Sequence, residues 1–179
     1  MTKKAAVIEK ADESFLSSYL PYLLNRVAME MLRGADEKFS RFGLSVAKWR
    51  TLAVLSDVGS CTFGELVHLT SVEPATLSRM VGGLATAGLV RRRKHPSDAR
   101  SISISLTSKG AQLFEDTLPW SHEVEDTLVQ DLSAAEVRRL KQVLKKVYLN
   151  VYRANAGTRK PAAAAALPHE VWLPKSEEA

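Results

Sequence analysis

The sequence predicts a mainly α-helical protein with one small β-hairpin, on three observations. Apolar residues recur at helical spacing through three long stretches, near 17–42, 107–130 and 133–153. Two boxes, Thr62-Phe-Gly-Glu65 and Ser133-Ala-Ala-Glu136, mark helix starts. In each, the hydroxyl accepts a backbone N–H while the glutamate reaches back. Between them lies "VRRRKHPSDARSISISLT", residues 90–107, in which a basic run turns into a strict Ser/Ile alternation. Period two is the mark of a half-buried strand.

The elements follow in order. The first helix carries Leu20, Leu23, Leu24, Val27, Met31 and Ala35 on one stripe, with Pro21 in its first turn and Gly43 just past its end. Ser45 caps a second helix that turns Trp49, Leu52, Ala53 and Leu55 inward and stops near Gly59. The Thr62 box opens a short third helix to about Leu69, and Thr70-Ser71-Val72 is a tight connection. Pro74 opens a fourth helix, which ends at Gly88. Strands are expected at 89–94 and 101–106, with 95–100 as the tip. Thr107 caps a long fifth helix that Pro119 should bend. The sixth carries Val137, Leu140, Val143, Leu144, Val147 and Val151 on one stripe. Residues 1–14 read as a flexible arm and 154–179 as a tail. In the tail, Val171, Trp172 and Leu173 have the apolar character to dock.

Composition narrows the function. A chain of 179 residues with 45% apolar content forms a proper core in a single domain, 15–153. A net charge of +5 and a pI near 9.4 point to an anionic partner, nucleic acid before membrane surface. Cys61 is the sole cysteine, so there is no disulfide framework and no multi-cysteine metal site. His68, His95 and His122 lack metal-ligand spacing. No glycine-rich phosphate loop or nucleophile–base pair appears, so neither an enzyme nor a cofactor is expected. The opening residues have no signal-peptide pattern, and no apolar stretch reaches membrane-spanning length. The cytoplasm is the expected compartment.

Two helices joined by a tight turn, the second followed at once by a basic hairpin, form a winged helix-turn-helix, here over about 45–106. On the fourth helix Leu77, Met80, Val81 and Leu84 share the inward face. The N-terminal residues Pro74, Ala75, Thr76, Ser78 and Arg79 are left to meet bases, and the helix N-terminus itself favours phosphate. On the hairpin, Asp98 would hold Arg100 extended for a minor groove, while Arg91, Arg92, Arg93 and Lys94 meet phosphates. Gly82-Gly83 is odd inside a helix: either a partner backbone passes close or the helix is weak there. A protein- or RNA-binding winged helix would want an apolar outer face or a wing without arginines, and neither is seen.

The stretch "ELVHLTSVEPATLSRMVGGLATAGLVRRRKHPSDARSISISLTSKG" resembles the DNA-binding core of the MarR family of bacterial transcription regulators. The matching features are Glu65-Leu66, Thr76-Leu77-Ser78-Arg79, Gly88-Leu89-Val90, Asp98-x-Arg100 and Leu106-Thr107-x-x-Gly110. "LPYLLNR" and "LSVAKWRTLAVL" are similar to the family's first two helices. Gly82-Gly83 stands where charged residues are more usual. The resemblance implies a minor-groove role for Arg100, supported by Asp98, and base reading by the stretch from Pro74 to Arg79.

The long helices, about 15–42 and 107–153, bear more apolar surface than one small domain covers. A homodimer packing them together would present two reading helices to a pseudo-palindromic operator in double-stranded DNA. The resemblance implies the same dimer. It also implies a repressor released by a small aromatic or phenolic effector, or its coenzyme A ester. Tyr22, Arg26, Trp49, Arg50 and Phe114 are the candidate effector contacts, the arginines for a carboxylate and the rings for stacking. The alternatives are a redox-responsive regulator using Cys61 and an enzyme acting on the ligand.

Overall fold

A computed structural model of the protein describes residues 15–95 and 98–155, apart from the side chains of 95 and 98–101. The arm and most of the tail expected from sequence lie outside those residues. The elements are α1 (Phe15–Ser18), α2 (Leu20–Ser40), α3 (Val46–Val58), β1 (Ser60–Thr62), α4 (Phe63–Thr70), α5 (Pro74–Thr86), β2 (Val90–His95), β3 (Asp98–Leu106), α6 (Ser108–Val129) and α7 (Ala134–Ala154).

Local chemistry accounts for most of the boundaries. Tyr19 leaves helical geometry at φ −80°, ψ 102°, two residues ahead of Pro21. A proline has no N–H and its ring collides with the carbonyl four residues back, so α1 cannot run into α2. The first helix therefore starts at Leu20, later than expected, with a separate turn of helix before it. Gly43, Gly59 and Gly88 adopt φ of +69°, +76° and +71° and end α2, α3 and α5. Both capping boxes form, with Thr62 and Ser133 each accepting a hydrogen bond from the backbone of its glutamate. Ser45 Oγ accepts from Lys48 N, and Thr107 Oγ1 from Gly110 N at 3.0 Å. Helix α6 runs through Pro119 without ending.

The sheet has three strands, in the order β1-β3-β2, all antiparallel. The hairpin read from the sequence accounts for two of them. β1 is hidden there because three residues are too few to show an alternation, and its partner, Ser103–Ser105, is remote in the chain. Its pairing of Cys61 with Ile104 puts the thiol on the inner face.

The core lies where this sheet meets α3, α4 and α5. Leu52, Leu55, Leu66, Leu77, Val81, Leu84 and Ile104 are almost wholly buried in it. Phe39 extends the core into the C-terminal half of α2, stacking on Trp49 with ring centroids 4.8 Å apart. Trp49 Nε1 donates to Thr117 Oγ1 at 2.9 Å, and that hydroxyl donates to the Phe114 carbonyl at 2.6 Å. The buried Thr117 hydroxyl thus both accepts and donates while it pins α3 to α6. Asp36 Oδ1 accepts from Val46 N at 2.8 Å and ties α2 to the start of α3.

Two apolar surfaces remain uncovered. Along α1 and α2, Phe15, Leu20 and Val27 are 72%, 52% and 57% exposed. Helix α7 buries no residue at all, and its stripe of Leu140, Val143, Leu144 and Val151 faces outward. Among the described residues, no other element buries these stripes.

Candidate nucleic-acid interface

Helix α5 divides cleanly into two faces. Leu77, Met80, Val81 and Leu84 are buried, as the spacing predicts. Pro74, Ala75, Thr76, Ser78 and Arg79 are all exposed on the N-terminal half. Small and hydroxylated side chains allow a close approach there, and Arg79 has the reach and fork geometry for a guanine edge.

The start of the helix is not an empty anion site. Glu73 is its N-cap, and its Oε2 accepts from Thr76 N at 2.9 Å. Hydrogen bonds from the Ala75 and Thr76 backbone, more than the nearby Arg79, hold the Glu73 carboxyl below its usual pKa. At neutral pH a carboxylate therefore occupies the donors that were expected to favour phosphate. The expectation is corrected: contacts from this end of α5 fall to the side chains. Sequence reading passed over Glu73 because glutamate is a less usual cap than Ser, Thr or Asp.

The wing also differs from expectation. β2 extends to His95 and β3 begins at Asp98, with an irregularity between Lys94 and His95. Asp98 and Arg100 are thus strand residues by backbone rather than part of a six-residue tip. Their side chains, and so the contact expected between them, lie outside what the structure describes. Arg91, Arg92, Arg93 and Lys94 are all exposed, but not on one side. Arg91 and Arg93 pair with Ser105 and Ser103, and Arg92 and Lys94 with Ile104 and Ile102. Facing residues of an antiparallel pair share a side, and successive residues alternate. The four cations consequently form two pairs on opposite faces, so a single phosphate row cannot meet them all. Arg91 Nε is in addition held by Ser105 Oγ at 2.9 Å.

The five candidate effector contacts fall in three places. Trp49 and Phe114 sit 6.1 Å apart in the aromatic cluster, with the indole N–H already spent on Thr117. Arg26 lies 5.9 Å over the Tyr22 ring and donates to its hydroxyl, out on the N-terminal half of α2. Arg50 donates to the Thr70 carbonyl and lines a cavity of about 440 Å³ with Asp57 and Lys145. Neighbours such as Trp49 and Arg50 point about 100° apart on a helix, which is why adjacency in sequence did not become one pocket.

Cys61 is buried, and burial, helped by the Glu65 charge, pushes its thiol up to about 12. A protonated, inaccessible thiol is a poor nucleophile, so the redox alternative loses its chemical basis. Among the described residues, no three His, Cys, Asp or Glu side chains gather into a metal-binding group.

Comparison with known proteins agrees with this geometry. The profile of the MarR family matches residues 42–101, the span of α3 to the wing. The repressor YetL of Bacillus subtilis is 30% identical over 76% of this chain and 81% of its own length.

The chain belongs to the MarR family.

A crystal structure of a MarR-family regulator from Silicibacter pomeroyi is 32% identical, covers 76% of this chain and 92% of its own, and superposes with a TM-score of 0.69. A cysteine-to-serine mutant of Escherichia coli MarR, complexed with operator DNA, is 29% identical and covers 72% of this chain and 92% of its own, with a TM-score of 0.64. The fold is therefore that of the MarR winged helices, with the long helices packed around it. Among the described residues, no helix is long and apolar enough to cross a membrane.

Proposed function

We propose that this MarR-family protein is a homodimeric transcription repressor of the cytoplasm, not an enzyme, that grips a pseudo-palindromic operator through α5 and the wing. The observation that carries the reading is the exposed polar face of α5, with Thr76, Ser78 and Arg79, standing beside a hairpin with four exposed cations. The E. coli MarR structure that contains operator DNA supports it by likeness. Dimerisation is supported by the uncovered stripes of α2 and α7, which water solvates poorly and a second copy would cover. The domain division follows: α1–α2 and α6–α7 pair the subunits, and α3 to the wing meets DNA. Release by a small aromatic or phenolic effector, or its coenzyme A ester, completes the reading.

Fluorescence anisotropy on a duplex from the DNA upstream of its own gene tests the assignment. Arg79→Ala should weaken binding by about 10- to 100-fold if the guanidinium reads a base. Arg100→Ala should weaken it comparably. Arg93→Ala should act evenly on all sequences and lower the salt slope by about one. Unchanged affinity in both Arg79→Ala and Arg100→Ala would overturn the reading.

A further inference from the structure

We infer that Glu73 is a specificity-determining residue of the reading helix: its exposed carboxylate turns away DNA phosphate and accepts from a base amino group, cytosine's above all. The inference rests on the DNA contact proposed above and adds a residue outside the stretch from Pro74 to Arg79. Glu73 stands immediately before the first turn of α5 and is exposed, as are Pro74, Ala75 and Thr76 after it. Its Oε2 accepts from Thr76 N at 2.9 Å. The Ala75 and Thr76 backbone, then the Thr76 hydroxyl and the Arg79 charge, favour its ionised form. Those hydrogen bonds take three of the roughly four acceptor positions of a carboxylate, so capping leaves capacity for a further donor.

Capping alone does not call for glutamate. In the same chain α3, α4, α6 and α7 are capped by the hydroxyls of Ser45, Thr62, Thr107 and Ser133. Among the described helices with a side-chain cap, only α5 carries a charge there, and α5 is the helix placed against DNA. The charge has two consequences. Phosphates are alike in every sequence, so a carboxylate at the leading end of α5 weakens contact with all DNA equally. Base edges are not alike. In the major groove cytosine offers an amino donor, whereas guanine and thymine offer acceptors that repel a carboxylate. Arg79 has the opposite preference, for guanine. From Glu73 to Arg79 the chain carries one charge of each sign, so this end of α5 has no net attraction for phosphate. The grip common to all sequences then falls to the wing, and discrimination to α5.

Selection of bound duplexes from a random-sequence pool, with wild type beside Glu73→Ser, tests the assignment. Serine caps a helix well and keeps an acceptor for the Thr76 N–H, so Tm should hold. The wild type should select cytosine at one position in each half-site, and Glu73→Ser should lose that preference while keeping the others. On an unrelated duplex at low salt Glu73→Ser should bind about tenfold more tightly. Its preference for the selected duplex over the unrelated one should fall about tenfold or more. Identical selection by both proteins, or no gain on the unrelated duplex, would overturn the inference and leave the DNA reading intact. A variant that melts lower and binds both duplexes more weakly would also overturn it, since the carboxylate would then serve folding alone. A wild type that selects no sequence would overturn both.

Discussion

Replacing Gly110 with alanine should destabilise the fold by about 3 kcal/mol or more, lowering Tm by roughly 6–12 °C. An added Cβ would lie 1.9 Å from the Leu89 carbonyl oxygen, 2.9 Å from its carbon and 3.2 Å from its Cα. All three are backbone atoms, so no rotamer change relieves the clash. The surroundings are held as well. Thr107 N donates to that same Leu89 oxygen at 3.0 Å, and Thr107 Oγ1 donates to the Gly88 carbonyl at 2.7 Å. Making room means lifting α6 off the start of β2 and breaking those bonds. Gly82→Ala and Gly83→Ala are the contrast, because each adds a methyl to open space. Each should stabilise α5, by up to about 1 kcal/mol. Scanning calorimetry at one fixed protein concentration separates the cases, since the Tm of a dimer varies with concentration. A Gly110→Ala protein that melts with the wild type would contradict the packing.

The second large effect concerns assembly. Leu140 and Leu144 lie one turn apart on the outward face of α7, each 41% exposed. Replacing both with aspartate places two carboxylates where the partner's apolar stripe should sit. Because α7 buries no residue among the described residues, and both leucines are already 41% exposed, the change costs the monomer far less than a core substitution. Sedimentation equilibrium should show the wild type at twice the chain mass of 19.7 kDa and the variant at that mass itself. Operator affinity should fall by about 100-fold or more, since a dimer binds its second half-site at high effective concentration. A variant that stays dimeric, or a wild type that is already monomeric, would contradict the dimer.

What could be read in the sequence was the chemistry of short range. The boxes at Thr62 and Ser133, the proline opening α5, the glycines closing α2, α3 and α5, and the inward face of α5 all depend on residues within a few positions of each other. The structure places each as expected. What could not be read depends on pairing at a distance. β1 exists because Ser60–Thr62 meets Ser103–Ser105, and Asp36 matters because it reaches Val46. The wing is a different case. Its alternation was visible, yet the run Arg91–Lys94 reads as one charged block until the pleat divides it. The five effector candidates likewise lie in three places, because residue type indicated what could bind but not which helix faces converge.

Hydroxyl-radical footprinting of the DNA beside its own gene tests the central claim most directly, that two copies of α5 and its wing act together on one duplex. The account predicts two protected patches on one face of the helix, centred about one turn, roughly 10 base pairs, apart, and flanked by minor-groove protection from the wings. A single protected patch, or uniform weak protection with no preferred sequence, would contradict it.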